Sequence, residues 1–193
     1  MFKLLSSTAL IMLLTGCAAK PLDYNLTNTV TDSPITVSKN LPNIRVTNFV
    51  YEPHRNISQY ETSIIGCPFC DPNGGREHSV FQQPVNQIIQ TEVEKSLNEV
   101  MLKNSEAICT MSAQIQFVGI EQSFSSMIHR VDATYTLSKG DATYFLKRVV
   151  GNFTPGVFEL DRGVSMWARP VRDSIRQLVT DKSFMNTVDQ RCR

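Results

Sequence analysis

Sulfur is the element of this 193-residue chain best placed to do chemistry, and it sits at Cys17, Cys67, Cys70, Cys109 and Cys192. Cys67-Pro68-Phe69-Cys70 has the two-residue spacing at which neighbouring thiols close a disulfide, exchange one, or supply half of a zinc site. A reactive thiolate at such a pair needs the positive end of a helix directly after the first cysteine. Here Asp71-Pro72-Asn73-Gly74-Gly75 follows instead, a turn in which Pro fixes φ and Gly accepts positive φ. Zinc would need a second ligand pair, and Cys67, Cys70 and His78 make only a half-site. The four cysteines after Cys17 are an even number, which in an exported chain favours disulfides. Of the three possible pairings, Cys67–Cys70 with Cys109–Cys192 is preferred.

Other chemistry is thinner. His54, His78 and His129 are scattered in residue types that read as solvated surface. No G-x-S-x-G elbow, phosphate loop, dinucleotide fingerprint or EF-hand occurs, so no cofactor or metal is expected and no catalytic residue is assigned. Asp132 and Asp141 read as solvated strand or turn residues. Arg169, Arg172 and Arg176 fall on one side of a helical pattern, opposite Val171, Ile175 and Leu178. A solvated charged face is the plain reading. A docking surface for an acidic partner is the sharper one, because guanidinium suits bidentate oxyanion contacts.

Cys17 is different in kind. Lys3 gives a basic start, an apolar run follows from Leu4 to Leu14, and Leu14-Thr15-Gly16-Cys17 closes it. A short basic start, an apolar stretch of this length and small residues before a cut describe a signal peptide. The stretch is shorter than the ~20 apolar residues that span a bilayer. The ending resembles the lipobox of bacterial lipoproteins, in which the cysteine thiol is alkylated with diacylglycerol and the new amino terminus acylated. That resemblance implies residues 1–16 as signal peptide, Cys17 as the lipidated residue and the membrane as a partner through the lipid. Several acyl chains anchor stably where one does not, each buried methylene adding ~0.8 kcal/mol. Ala18, a non-acidic residue after the cysteine, accompanies passage to the outer membrane in enterobacterial relatives. Cleavage also removes Lys3, leaving basic residues equal in number to the 18 acidic ones. A near-neutral mature chain has no global field to draw it onto nucleic acid.

The elements that must position these residues emerge from periodicity. Residues 17–42 are rich in Thr, Asn, Ser and Pro and read as a flexible tether, with a single domain over 43–193. A first strand is expected from Ile44 to Val50. The segment 51–82, broken by Pro53, Gly66, Pro68, Pro72, Gly74 and Gly75, reads as an irregular insert. Its apolar Ile64, Ile65 and Phe69 are candidates for partner contact, since connections this long are usually functional. Pro84 opens a helix with Ile88, Ile89, Val93, Leu97 and Val100 on one face. Three alternating runs follow, around 111–117, 130–137 and 142–151, with a polar turn at Ser138–Asp141. A last helix is expected over about 162–180, with Trp167 on its apolar side and Pro170 marking either a kink or a true start. The fold class is α+β: a two-layer sandwich of about four mostly antiparallel strands with two amphipathic helices on one face.

This layout is similar to that of the YajG-like lipoproteins of Gram-negative bacteria. The match is closest over the stretch from Val171 to Phe184, read as a helix, a short polar step and an aromatic. The role expected of the chain is a membrane-anchored, non-enzymatic accessory subunit with an envelope protein as partner, although the resemblance itself names no partner. The insert around Cys67–Gly75 departs from that pattern. Cys67-Pro68-Phe69-Cys70 itself looks like the redox pair of glutaredoxin-like proteins, which keeps a periplasmic thiol-disulfide protein as the alternative. A structural subunit of a secretion or ring assembly is a third.

The anchor is directly testable. Cys17→Ser removes the only thiol the lipid can take at that site, so an unprocessed or mis-sorted precursor is expected on fractionation. Normal membrane partitioning of the variant, with a wild-type mass lacking acyl chains, would reject the lipoprotein reading.

Overall fold

Three alternating sequences build the centre of the molecule. In the computed structural model, which describes residues 34–52, 83–102, 106–122, 127–156 and 168–193, they form strands β2 (Cys109–Gln122), β3 (Met127–Lys139) and β4 (Ala142–Phe153). Earlier in the chain lie β1 (Ile44–Tyr51) and helix α1 (Val85–Asn98); later come α2 (Ala168–Thr180) and α3 (Lys182–Arg191). The sheet order is β1-β2-β3-β4. β2, β3 and β4 form an antiparallel meander, whereas β1 lies parallel to β2. Parallel neighbours need a crossover, and α1 lies in the connection between them. Gly140, at φ +57°, begins the two-residue turn that joins Lys139 to Ala142.

Strand alternation puts one set of side chains under the helices. Met111, Ala113, Ile115 and Val118 of β2, with Val131, Ala133, Tyr135 and Leu137 of β3, are buried in one core. Ile88, Ile89, Val93 and Leu97 of α1 and Val171, Ile175 and Leu178 of α2 complete it. The α+β sandwich is therefore the fold, with a mixed four-stranded sheet and three helices packed against it.

The third helix is a departure from expectation. After Thr180 the chain does not settle into a polar step with one aromatic. Asp181 takes extended φ and ψ, its carboxylate accepts the Phe184 N–H at 2.9 Å, and α3 begins. Phe184, Val188 and Cys192, spaced by four, bury the inward side of that helix. Pro170 lies in the first turn of α2 as described, where a missing N–H costs little. The start of the domain also moves. Ile35 and Leu41, assigned from sequence to the tether, are packed in the core, so residues 34–42 are a strap on the domain. Leu41 donates its N–H to Val100 O and accepts from Leu102 N–H, both at 2.9 Å.

Two contacts set how closely the layers approach. Tyr135, fully buried in β3, meets Ser174 of α2 at 2.8 Å between hydroxyl oxygens. Ser174 gives its only proton to Val171 O at 2.7 Å, so Tyr135 is the donor of the pair. At Gly151 of β4, an added Cβ would lie 1.8 Å from the Pro170 carbonyl oxygen. That distance is far inside van der Waals contact, and backbone is on the other side. Gly151→Ala is therefore expected to destabilise the domain by at least the ~1–3 kcal/mol typical of overpacking. Thermal unfolding of the purified protein measures it, and an unchanged midpoint would mean α2 does not approach β4 this closely.

Candidate functional site

The sheet face away from the helices carries the polar half of the alternation, and a charge cluster forms at its centre. A bulge between Ile115 and Phe117 lets Ile115 and Val118 stay in the core while Phe117 stands opposite Asp132. Arg148, on β4, makes a bidentate pair with Asp132: Nε donates to Oδ1 at 2.8 Å and Nη2 to Oδ2 at 2.6 Å. Arg130 stands 3.5 Å from the same carboxylate, with its guanidinium carbon 5.9 Å from the Phe117 ring centroid. Gln116 donates to Thr134 Oγ1 at 2.8 Å. The Asp132 side chain is 1% exposed while that of Arg148 is 54% exposed. The expectation that Asp132 is solvated is thus overturned: a buried carboxylate is tolerated because guanidinium groups meet it. Hydrogen bonding to Asp132, reinforced by its charge, pushes Arg148 above its already high ordinary value.

His129 departs from expectation as well. It is buried near the Phe153 ring, with centroids 6.2 Å apart, and burial lowers its pKa from 6.5 to about 4. Burial likewise raises Tyr135 to about 12, against the opposing effect of its hydrogen bond with Ser174. These two groups keep one protonation state around neutral pH.

The arginines of α2 divide among three tasks. Arg172 forms a two-pronged pair with Glu99 at the C-terminal end of α1, one bond measuring 3.0 Å. Its side chain is only 11% exposed. Ile35 N–H donates to the same carboxylate at 3.0 Å. The Arg172 hydrogen bond, helped by the Ile35 N–H, holds Glu99 below the usual carboxylate range against the opposing effect of burial. Arg169 lies over the Phe153 ring, 4.4 Å from its centroid. Arg176 is 46% exposed and 3.8 Å from Asp173. They share a helix, but Arg172 is turned to interior cross-linking, and Arg176 is the more open to a partner.

Cys109 and Cys192 are joined by a disulfide, with S–S 2.01 Å and Cα–Cα 5.4 Å. It ties the end of α3 to the start of β2. Cys17, Ile64, Ile65, Cys67, Phe69, Cys70, His54, His78 and Trp167 lie outside the described residues. Among the described residues no group of three or more His, Cys, Asp or Glu is placed to hold a metal ion. No described helix is long and apolar enough to cross a membrane.

Sequence reasoning missed Asp132, Arg148 and Glu99. Each sits at an ordinary polar position of its element, and only register or packing brings its partner near. Asp132 and Arg148 become neighbours through the Asp132↔Val150 and Thr134↔Arg148 pairings of β3 with β4.

These elements define a two-layer α+β domain with a polar open sheet face. No family model matches the chain, and no curated protein matches it. Among solved structures it is similar to a Xanthomonas campestris protein described as family DUF330, with 9% identity and a TM-score of 0.56. The overlap covers 84% of this chain and 96% of that one, and it shows a shared fold. A Chlamydia trachomatis protein (8% identity, TM-score 0.42) overlaps 80% of this chain and 98% of its own. A minor lipoprotein of Acinetobacter baumannii (12% identity, TM-score 0.33) overlaps 56% and 89%. Those two likenesses are too loose to carry an argument.

The buried histidine has a pH consequence. Its folded pKa lies below its unfolded one, so between pH 6.5 and about 4 the unfolded chain binds the extra proton and stability falls as pH falls. The full shift is worth roughly 3 kcal/mol at most. His129→Gln is expected to flatten the fall in unfolding midpoint across that window, and a wild-type slope in the variant would reject this assignment.

Proposed function

We propose that this chain is an outer-membrane lipoprotein whose α+β domain faces the periplasm and binds another envelope protein as a non-enzymatic accessory subunit. The observation that carries the reading is the signal sequence ending in Leu14-Thr15-Gly16-Cys17, followed by a Thr/Asn/Ser/Pro-rich stretch that leads into the strap. A lipidated cysteine joined by such a stretch to a folded domain places a binding surface near a membrane.

The recognition surface is assigned to the insert 51–82, with Ile64, Ile65 and Phe69 as its apolar contacts and Cys67 and Cys70 holding its shape. The arginines of α2 have a secondary place, because Arg172 is already paired with Glu99. The described core residues come from the strap, β1 to β4 and the three helices, and Tyr51, the last residue of β1, packs against them, so the recognition surface is assigned to the part of the insert beyond Glu52.

Replacing Ser63–Arg76 by a short glycine linker should therefore leave the unfolding midpoint nearly unchanged and abolish crosslinks to the envelope partner. Arg176→Ala should reduce those crosslinks less. Retention of the partner by the deletion, with loss in Arg176→Ala, would move the site to α2. Catalytic disulfide reduction by the purified protein, abolished by Cys67→Ser, would replace the binding reading with the redox one.

A further inference from the structure

Strand direction and the strap together give the molecule two unlike ends. Ile44 of β1 pairs with Cys109 of β2, and Lys139 of β3 pairs with Ala142 of β4, so these residues mark one end of the sheet. The strap comes in at that same end. Ile35 N–H donates to Glu99 at 3.0 Å, Leu41 O accepts the Leu102 N–H at 2.9 Å, and Asn40 O accepts from Arg193 at 3.1 Å. The Cys109–Cys192 disulfide brings the end of α3 there as well.

Apolar exposure is concentrated at this end. Of the five large apolar side chains exposed among the described residues, Leu102, Ile108 and Tyr144 lie here, at 44%, 40% and 39%. Leu102 adjoins the strap contact, and Ile108 directly precedes Cys109. The Tyr144 ring sits against Arg191, whose guanidinium carbon is 5.1 Å from its centroid. An aromatic body with a hydroxyl tip beside a guanidinium suits the boundary between water and acyl chains. Charge follows the same pattern. Asp189 is taken up by Lys39 at 3.1 Å and Arg193 at 2.7 Å. Beyond that trio, exposed Arg45, Lys139 and Arg191 outnumber exposed Glu106 and Asp141. The side chains here sum to a positive charge.

We propose that this end rests on the bilayer that holds the Cys17 lipid. Leu102, Ile108 and Tyr144 then lie at the interface, with Arg45 and Lys139 against anionic phosphate headgroups. The link to Cys17 is what commits the surface to lipid. Residues 18–33 separate Cys17 from Pro34, and such a stretch spans at most about 60 Å when fully extended. A lipidated Cys17 therefore presents this end to the headgroups at a roughly millimolar effective concentration. Three partly exposed apolar groups and a small positive charge suffice there, where an untethered domain would not bind. The opposite end, at which β1 runs out to Glu52, is turned away from the bilayer. This inference rests on the lipoprotein reading for the presence of the membrane and adds an orientation to it.

The test uses the full-length chain purified from membranes and reconstituted in vesicles of phosphatidylethanolamine and phosphatidylglycerol. A photocrosslinking amino acid is placed at position 102 or 108, with position 50 as control. Val50 is as exposed as either but lies away from this end, opposite Gln114. Mass spectrometry should find lipid adducts at 102 and 108 several-fold above those at 50. Arg45→Glu with Lys139→Glu in one chain should lower the adducts at 108 by about fivefold or more. An unchanged yield in that variant would overturn the headgroup contact. Equal adducts at 50, 102 and 108 in a chain whose mass includes acyl groups would overturn the proposal and leave the lipoprotein reading standing. A chain without acyl groups would overturn both. Adducts from 102 and 108 to a protein in the native envelope would put that partner in place of lipid and overturn the proposal.

Discussion

The close seat of α2 on β3 and β4 is the contact on which the rest of the molecule depends. Gly151 lets the Pro170 carbonyl come within a distance that any Cβ would forbid, and the Tyr135 hydroxyl then reaches Ser174. Once α2 sits there, Arg172 is delivered to Glu99 on α1, and Asp173 and Gln177 are delivered to the edge of β4. α1 in turn bridges α2 and β1. A single small residue thus fixes the spacing that lets three polar links form across the layers. A larger side chain at 151 would have to lift the helix, loosening all of them together.

Polar groups in this fold are arranged by what they face. On the covered side, Tyr135 meets one hydroxyl and is otherwise surrounded by apolar groups, and burial drives its pKa up. On the open side, Asp132 is as buried as any core residue yet is met by Arg148 and Arg130. A buried pair of this kind is weak evidence of added stability, since desolvation offsets the attraction. Its clearer effect is geometric, because the fork of Arg148 can meet both oxygens of Asp132 only in one strand register.

Much of the architecture was legible in the chain. The alternation of Met111, Ala113, Ile115 and Phe117, of Val131, Ala133, Tyr135 and Leu137, and the stepped apolar face from Ile88 to Leu97 all report local geometry that packing then used. At Ile115 the alternation is interrupted by a bulge, and β2 continues to Gln122. The third helix was missed because its apolar positions are sparse, and Asp181 reads as a polar step until its carboxylate is seen capping Phe184. Ile35 and Leu41 were missed because isolated apolar residues amid Thr, Ser and Pro have no period. The charge cluster was beyond reach for a different reason. Asp132 and Arg148 are partners only through cross-strand register, and Glu99 and Arg172 only through helix packing, neither of which leaves a local trace.

The strap and the disulfide together have a mechanical meaning. Tension on the chain ahead of Pro34 enters the domain at Ile35 and is divided at once. Part passes through Glu99 to α1 and α2, part through Leu41 to Val100 and Leu102, and part through Lys39 and Asn40 to Asp189 and Arg193 at the end of α3. That last branch would peel away the C-terminal helix if only side chains held it. Cys192 instead hands the load covalently to Cys109, and so to an interior strand hydrogen-bonded on both sides. The domain is braced against a pull on its N-terminal end, with the force routed into the part of the sheet least able to unravel.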